Sequence, residues 1–462
     1  MHLNRLPDLA RRAFLRRGAL LGVAGAAAPW AMNLSLIGQA AAAGSPTDYK
    51  ALVCVFLYGG NDYGNTLVPV DNTHHAQYAA IRGTLATPQS QLQATTLTPL
   101  SALPDGFVYA LAPQLSALKP LWDNQRLAVQ LNVGPLMQPT TLAQYNARSV
   151  PLPPKLFSHN DQQSVWQSDL PEGALSGWGG RIGDLMLADN GGSVFTCISV
   201  TGNAVYLTGQ SAVQYQMGTS GAVAIQGITR ALNGSGSAQQ ALRSLITASR
   251  PAHRFAAEYT RITRRSIDAE AQVSAALAAL PALNTSFDGS SQLAQQLQMV
   301  ARMIAARSAF GVGRQVFMVS LGGFDLHDNL AENHPGLLSQ VGNALAAFHD
   351  ATVELGVVDA VTAFTASDFG RTLSINGDGS DHGWGGHQFV LGGAVKGKRF
   401  YGTPPAVAIN GPDDVGQGRL LPTTSVDQFG ATLASWFGVA ESDLASVVPR
   451  VGHFSPQKIG FV

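Results

Sequence analysis

The chain has 462 residues, 45% hydrophobic and 13% charged, with Lys+Arg and Asp+Glu equal at 29 each. That length supports a sizeable core in one large α/β domain or two smaller ones. The apolar content excludes a disordered chain, and the even charge balance, with no basic stripe standing out, argues for no nucleic acid as a partner.

Arg11-Arg12-Ala13-Phe14-Leu15-Arg16 resembles a twin-arginine export signal, and an uncharged stretch from Gly18 to Thr47 follows it, with a small-residue run at Ala40 to Ala43. Residues 1–43 are therefore read as a cleaved signal peptide passed to the twin-arginine translocation machinery. Residues 44–462 are read as a single domain, periplasmic or secreted. The alternative, an N-terminal membrane anchor, is disfavoured because Pro29, Asn33 and Ser35 interrupt the stretch and alanine dominates it; with no other membrane-spanning run, no stable membrane span is expected after signal removal. Twin-arginine export moves folded proteins, which suits a chain that acquires a metal before leaving the cytoplasm. Cys54 and Cys197 both sit in apolar runs and are read as buried thiols, with a disulfide left open for an oxidising compartment.

Ala51–Tyr58, ALVCVFLY, is a continuous apolar run of the central-parallel-strand type. Gly59-Gly60 break it and leave Asn61 and Asp62 at its carboxyl end, either as an Asx-type turn or, in the case of Asp62, as a metal ligand. Residues 72–106 read as a polar surface excursion, Leu111–Asn124 as helical, and Arg126–Val133 as a second strand. Pro151–Trp166 then leads through Ser158-His159-Asn160-Asp161 into a helix. A hydroxyl at that position is an ordinary N-cap. It also lies where the helix dipole favours an alkoxide or an anion. His159 and Asp161 are rim or supporting candidates, or plain loop residues.

Leu175–Leu187 reads as a helix packed through small residues and Ser193–Val200 as a strand. Thr201–Ile228 reads as an inserted β-rich excursion and Asn233–Ala238 as a loop. His253–Ala279 and Gln292–Phe310 are cover helices whose Arg261, Arg264 and Arg265 are taken as solvated. Val316–Leu321 is a buried strand that delivers Phe324-Asp325-Leu326-His327. After an amphipathic helix, Ala360–Ala366 delivers Ser367-Asp368, Arg371 and a glycine-rich loop with Asp381, His382 and His387. Strand, helix, strand predicts a parallel pair, whose working residues lie beyond the carboxyl ends. Three carboxylates and three imidazoles converging there suit a divalent ion such as zinc, magnesium, calcium or manganese. Gln388–Val395 continues as a strand, and Gly418–Phe437 ends in an amphipathic helix. The aromatic side chains Tyr63, Trp166, Trp178 and Trp384 are read as packing residues or as walls of a sugar or aryl pocket.

The segments LVCVFLYGGNDYGN, LFSHNDQQSVWQ with SGWGGRIGD, GGFDLHDN, SDFGRTLSINGDGSDHGWGGHQFVLGG and GRLLPTTSVDQFGATLASWFG closely resemble an exported bacterial family, domain of unknown function 1501. That family resembles in turn the alkaline phosphatase and sulfatase superfamily. The resemblance implies an α/β fold with a mostly parallel central sheet and helices on both faces. It implies metal ligation by Asp62, Asp325, His327, Asp368 and one or both of His382 and His387, with Ser158 as the candidate nucleophile. Two departures stand out. Only Leu326 separates Asp325 from His327, and Phe369 rather than His follows Asp368, so one metal or an altered pair is expected.

The expected chemistry is hydrolysis of a phosphate or sulfate ester, on a small-molecule or glycan substrate, with Arg371 either clamping an anionic oxygen or pairing with a carboxylate. The competing reading is an inactive exported binding or assembly protein on the same fold. A metal-free serine hydrolase built on Ser158 and His159 is disfavoured, because no Gly-x-Ser-x-Gly elbow surrounds Ser158.

Overall fold

The run Ala51–Leu57 carries no charge and is buried throughout, as a strand covered on both faces requires. In the computed structural model, which describes residues 48–248 and 253–462, it forms the middle of the main sheet. The twin-arginine reading of residues 1–43 lies outside the described residues. Contacts tie Ser45–Val462 into one unit.

In chain order the strands are β1 (Lys50–Leu57), β2 (Leu67–Pro69), β3 (Tyr109–Leu111), β4 (Leu127–Gly134), β5 (Cys197–Ser199), β6 (Tyr215–Gln216), β7 (Arg314–Leu321), β8 (Val361–Ser367), β9 (Gly386–Gly392), β10 (Phe400–Tyr401) and β11 (Thr424–Ser425). β2 and β3 make a small antiparallel ribbon. The others form one sheet in the order β10-β4-β9-β8-β1-β7-β5-β6, with β11 also on β4. Only β9 runs against its neighbours, β4 and β8.

Among the described residues the helices of eight residues or more are α1 (Asn72–Arg82), α2 (His159–Ser168), α3 (Trp178–Met186), α4 (Gly236–Thr247), α5 (Arg254–Ala279), α6 (Gln292–Ala305), α7 (Leu330–Glu354) and α8 (Val426–Phe437). Alternate residues of β1 enter two separate cores. Val53 and Val55 meet Leu297 and Val300 of α6 and Val341 of α7 on one face. Leu52, Cys54 and Phe56 meet Ile182 of α3 and Phe429 of α8 on the other. This is an α/β architecture with a mostly parallel sheet and helices on both faces. Cys54 and Cys197 are free, buried thiols.

Several expectations need correction. β7 and β8 are not adjacent, because β1, apolar along its length, takes the place between them. Its last residue Leu57 pairs with Leu321 on one side and Ser367 on the other, so the three carboxyl ends are level. Thr201–Ile228 is not β-rich. It holds one two-residue strand, and its backbone instead packs on α3, where a Cβ at Gly177 would lie 2.2 Å from the Val205 carbonyl oxygen. Residues 72–106 are not merely a surface excursion, since α1 buries Tyr78 and Arg82. Leu111–Asn124 divides into the end of β3, a 3-10 turn at Pro113–Leu118 and a short helix at Lys119–Asp123. Asn233–Ala238 contains a helix start, with Ser235 accepting from the Ala238 amide to cap α4.

Candidate metal centre

The level ends of β1, β7 and β8 bring three loops together. Gly59 marks one close approach between them. Its φ is +113°, and a Cβ there would lie 2.3 Å from the Asp325 amide nitrogen, so only glycine lets the two loops touch. Arg371, fully buried, fixes the second loop. It donates from Nη1 to the Gly59 carbonyl at 3.0 Å and to Asp325 Oδ1 at 2.7 Å, and from Nε to the Ser380 carbonyl.

Asp325 is the hub. Its Oδ1 lies 3.1 Å from His327 Nε2 and 3.2 Å from His382 Nε2. Its Oδ2 lies 3.3 Å from His159 Nε2. His327 Nε2 and His382 Nε2 are themselves 2.9 Å apart. Partial burial pushes the Asp325 carboxyl up, but the Arg371 guanidinium and the nearby imidazoles outweigh it and hold it below the usual carboxylate range. Asp325 is therefore an anion at neutral pH.

Each imidazole is oriented by an oxygen behind it, as metal-ligating histidines are. His382 Nδ1 lies 2.8 Å from the Phe157 carbonyl. A carbonyl can only accept, so Nδ1 carries the proton and, in the neutral ring, Nε2 presents a lone pair. Burial holds the His382 pKa down and favours that neutral ring. His327 Nδ1 lies 3.2 Å from Asp381 Oδ1, and His159 Nδ1 lies 2.6 Å from Asp368 Oδ2. The Asp368 bond, against the effect of burial, raises the His159 pKa.

Asp368 is wholly buried at the end of β8. Its Oδ2 also accepts from the Gly59 amide and from Gln163 Nε2. Asp368 Oδ1 and His159 Nε2 are buried without a hydrogen-bond partner among the described residues. For His159 the nearby Asp325 oxygen is within ion-pair range but outside hydrogen-bond alignment. Such orphaned atoms call for an explanation. With each ring neutral and its outer nitrogen protonated toward the oxygen behind it, three imidazoles and one carboxylate form a donor set that fits a divalent cation. Ligand atoms around tetrahedral zinc stand about 3.3 Å apart, close to the distances from Asp325 to each imidazole and between His327 and His382, although His327 stands outside the most compact group of ligand atoms. His159, Asp325 and His382 offer ligand atoms all within 4.8 Å of one another.

Residues 49–446 match the family described as protein of unknown function, DUF1501. The chain belongs to this family. No curated protein matches it. Solved structures that match the DUF1501 chain include that of Ps i-CgsB in complex with k-i-k-neocarrahexaose. It is 9% identical, covers 86% of this chain and 74% of that one, and has a TM-score of 0.34, too low to carry an argument.

Of the residues anticipated as ligands in this DUF1501 member, Asp325, His327 and His382 meet, and Asp368 stands behind His159. Asp62 and His387 lie elsewhere. Asp62 Oδ2 is ion-paired with Arg82 at 2.7 Å and accepts from Ser380, while Oδ1 caps the turn at Asn65. Burial raises its pKa, and the Arg82 charge, with His334 beside it, more than reverses that. His387 is buried on β9, where its Nδ1 accepts from the Asn132 amide. Burial holds its pKa down to about 3, so it is a neutral core histidine. Ser158 Oγ donates to Asp161 at 2.9 Å and makes no N-cap bond. Its neighbours on either side, the Phe157 carbonyl and the His159 ring, are the ones that reach the centre. Arg371 is the carboxylate partner rather than a free anion clamp. Trp384 is fully buried and donates to the Pro135 carbonyl.

His159 as a central side chain was understated by the sequence reading. Its signal was its place as the first helical residue of α2, directed at a sheet edge. Arg82 and His334 were missed altogether.

Proposed function

We propose that this chain is an exported metal-dependent hydrolase of phosphate or sulfate esters, on an alkaline-phosphatase-like arrangement of the sheet. The observation that carries the reading is the inward-facing set around Asp325. His159, His327 and His382 would hold a divalent ion together with Asp325. Such an ion supplies Lewis-acid charge against ester oxygens and lowers the pKa of water.

The chain's own residues do the rest. Arg371 fixes the Asp325 carboxylate and keeps it ionised. The Phe157 carbonyl and Asp381 hold the two facing rings with their protons turned outward. Asp368 and Gln163 set the pose of His159. Phe369 packs against the rings of His159 and His382, with centroids 4.8 and 4.9 Å away, and covers one side against water.

One observation favours the second reading, an exported binding protein with a structural ion. The Ser158 hydroxyl and the Arg371 guanidinium, the groups assigned to attack and to anion clamping, are both engaged within the protein. Hydrolysis of aryl phosphate, phosphodiester and aryl sulfate esters by metal-supplemented wild type, Asp325→Ala and Ser158→Ala separates the two. The hydrolase reading expects turnover that Asp325→Ala abolishes. Metal binding without turnover on any ester class would leave the binding protein.

A further inference from the structure

The N-terminal half of α5 and the neighbouring α4 form an arm that contributes almost nothing to either core. No residue of α4 is buried, and none of α5 before Thr260. On α5, Phe255, Tyr259 and Ile262 are 85%, 62% and 56% exposed. Their spacing of four and three residues puts them on one face. Arg254, Arg261 and Arg265 line up beside that face, and Thr260, Thr263 and Ile267 turn inward on the other side. Leu245 of α4 is a further exposed apolar side chain, at 61%.

The charge of this region is opposite to that of the remaining chain. Residues 223–266 hold seven Arg and one Glu, whereas the rest of residues 44–462 holds 17 basic and 27 acidic side chains. Arg261 is paired with Glu258, and Arg243, Arg254 and Arg265 make no ion pair among the described residues. No basic stripe stands out along the sequence because the arginines are spread over several turns; α5 carries four of the seven, Arg254, Arg261, Arg264 and Arg265.

We propose that this arm seats on a membrane surface rich in anionic lipid headgroups. An exposed apolar arc flanked by guanidinium groups, on a helix lying in the interface, is the arrangement such a surface selects. The arginines meet the headgroups and the Phe255, Tyr259 and Ile262 side chains enter the acyl boundary. A dissolved polyanion would use the arginines alone and would leave the apolar arc in water. Each arginine near an anionic surface is worth roughly fivefold in affinity.

The test is co-sedimentation of residues 45–462, the unit defined by the chain's own contacts, with phosphatidylglycerol-containing vesicles and with pure phosphatidylcholine vesicles. The expected result is binding to the former only, weakened by salt. Arg254→Glu with Arg265→Glu should lower it by roughly tenfold or more, and Phe255→Ser with Ile262→Ser should abolish stable retention. Thermal melts matching wild type establish that both double variants fold. Equal binding to both vesicle types, no binding to either, or unchanged binding by the double variants would overturn the proposal. Retention on dextran sulfate without vesicle binding would overturn it in favour of a soluble polyanion.

Discussion

The Nε2 atoms of His327 and His382 face each other at 2.9 Å, while the Nδ1 of each ring is already engaged by an oxygen, Asp381 for one and the Phe157 carbonyl for the other. In neutral rings so oriented, both facing atoms are acceptors, and Asp325 Oδ1 adds a third. A shared cation removes the repulsion. Stripping metal with a chelator should therefore lower the melting temperature by several degrees, and restoring a divalent ion should reverse it. An ion present at a thousand times its Kd stabilises by about 4 kcal/mol. Scanning calorimetry before and after chelation reads this directly, and identical melts would argue against a bound ion.

Asp62 and Arg82 form a buried ion pair outside that donor set, joined to it through Ser380 and Arg371. Removing one partner leaves an uncompensated buried charge. Arg82→Met should cost about 3–5 kcal/mol in urea unfolding while metal content per folded chain stays at the wild-type level. Loss of metal from a protein that still folds would return Asp62 to the ligand set.

The centre of the sheet was legible because Ala51–Leu57 and Val316–Leu321 are apolar runs ended by glycine pairs, a strong local signal. Asp325, His327 and His382 were legible for the same reason: they follow directly on strand ends or sit on the loop after one. What could not be read was pairing over long sequence distances. Nothing near Asp62 announces Arg82 from α1, and only the packing of that helix joins them. His387 lies five residues beyond His382, but the chain enters β9 at Gly386, which carries His387 into the core. The arm at α4 and α5 was opaque too, since its stripe exists only once the helix is wound.

His387 gives a pH dependence with a definite sign. Its folded pKa is pushed down to about 3, whereas the unfolded imidazole titrates near 6.5. Between those values the unfolded chain binds a proton that the folded chain does not. Stability is therefore complete above pH ~6.5 and falls by about 1.4 kcal/mol per pH unit below it. His334, held down to about 4 by burial, adds a similar loss over a narrower range. His387→Asn should reduce the slope of unfolding free energy against pH between 6 and 4 by about one proton. An unchanged slope would mean that His387 titrates normally.

Gly59 tests the contact between the β1 and β7 loops. Alanine there must accept a left-handed φ and displace the Asp325 backbone. Gly59→Ala should destabilise by about 1–3 kcal/mol or more and weaken metal binding at the same time, because the hub carboxylate moves. Isothermal titration with zinc, alongside urea unfolding, would show both effects. A variant with wild-type zinc affinity would contradict the geometric link between Gly59 and the centre.

The most direct test of the central claim is elemental analysis of purified wild type, Asp325→Ala and His387→Asn. A centre organised around Asp325 predicts about one divalent ion per chain in wild type and in His387→Asn, and none in Asp325→Ala. Wild-type protein that stays metal-free after divalent ions are supplied, or an Asp325→Ala variant that keeps its ion, would contradict it.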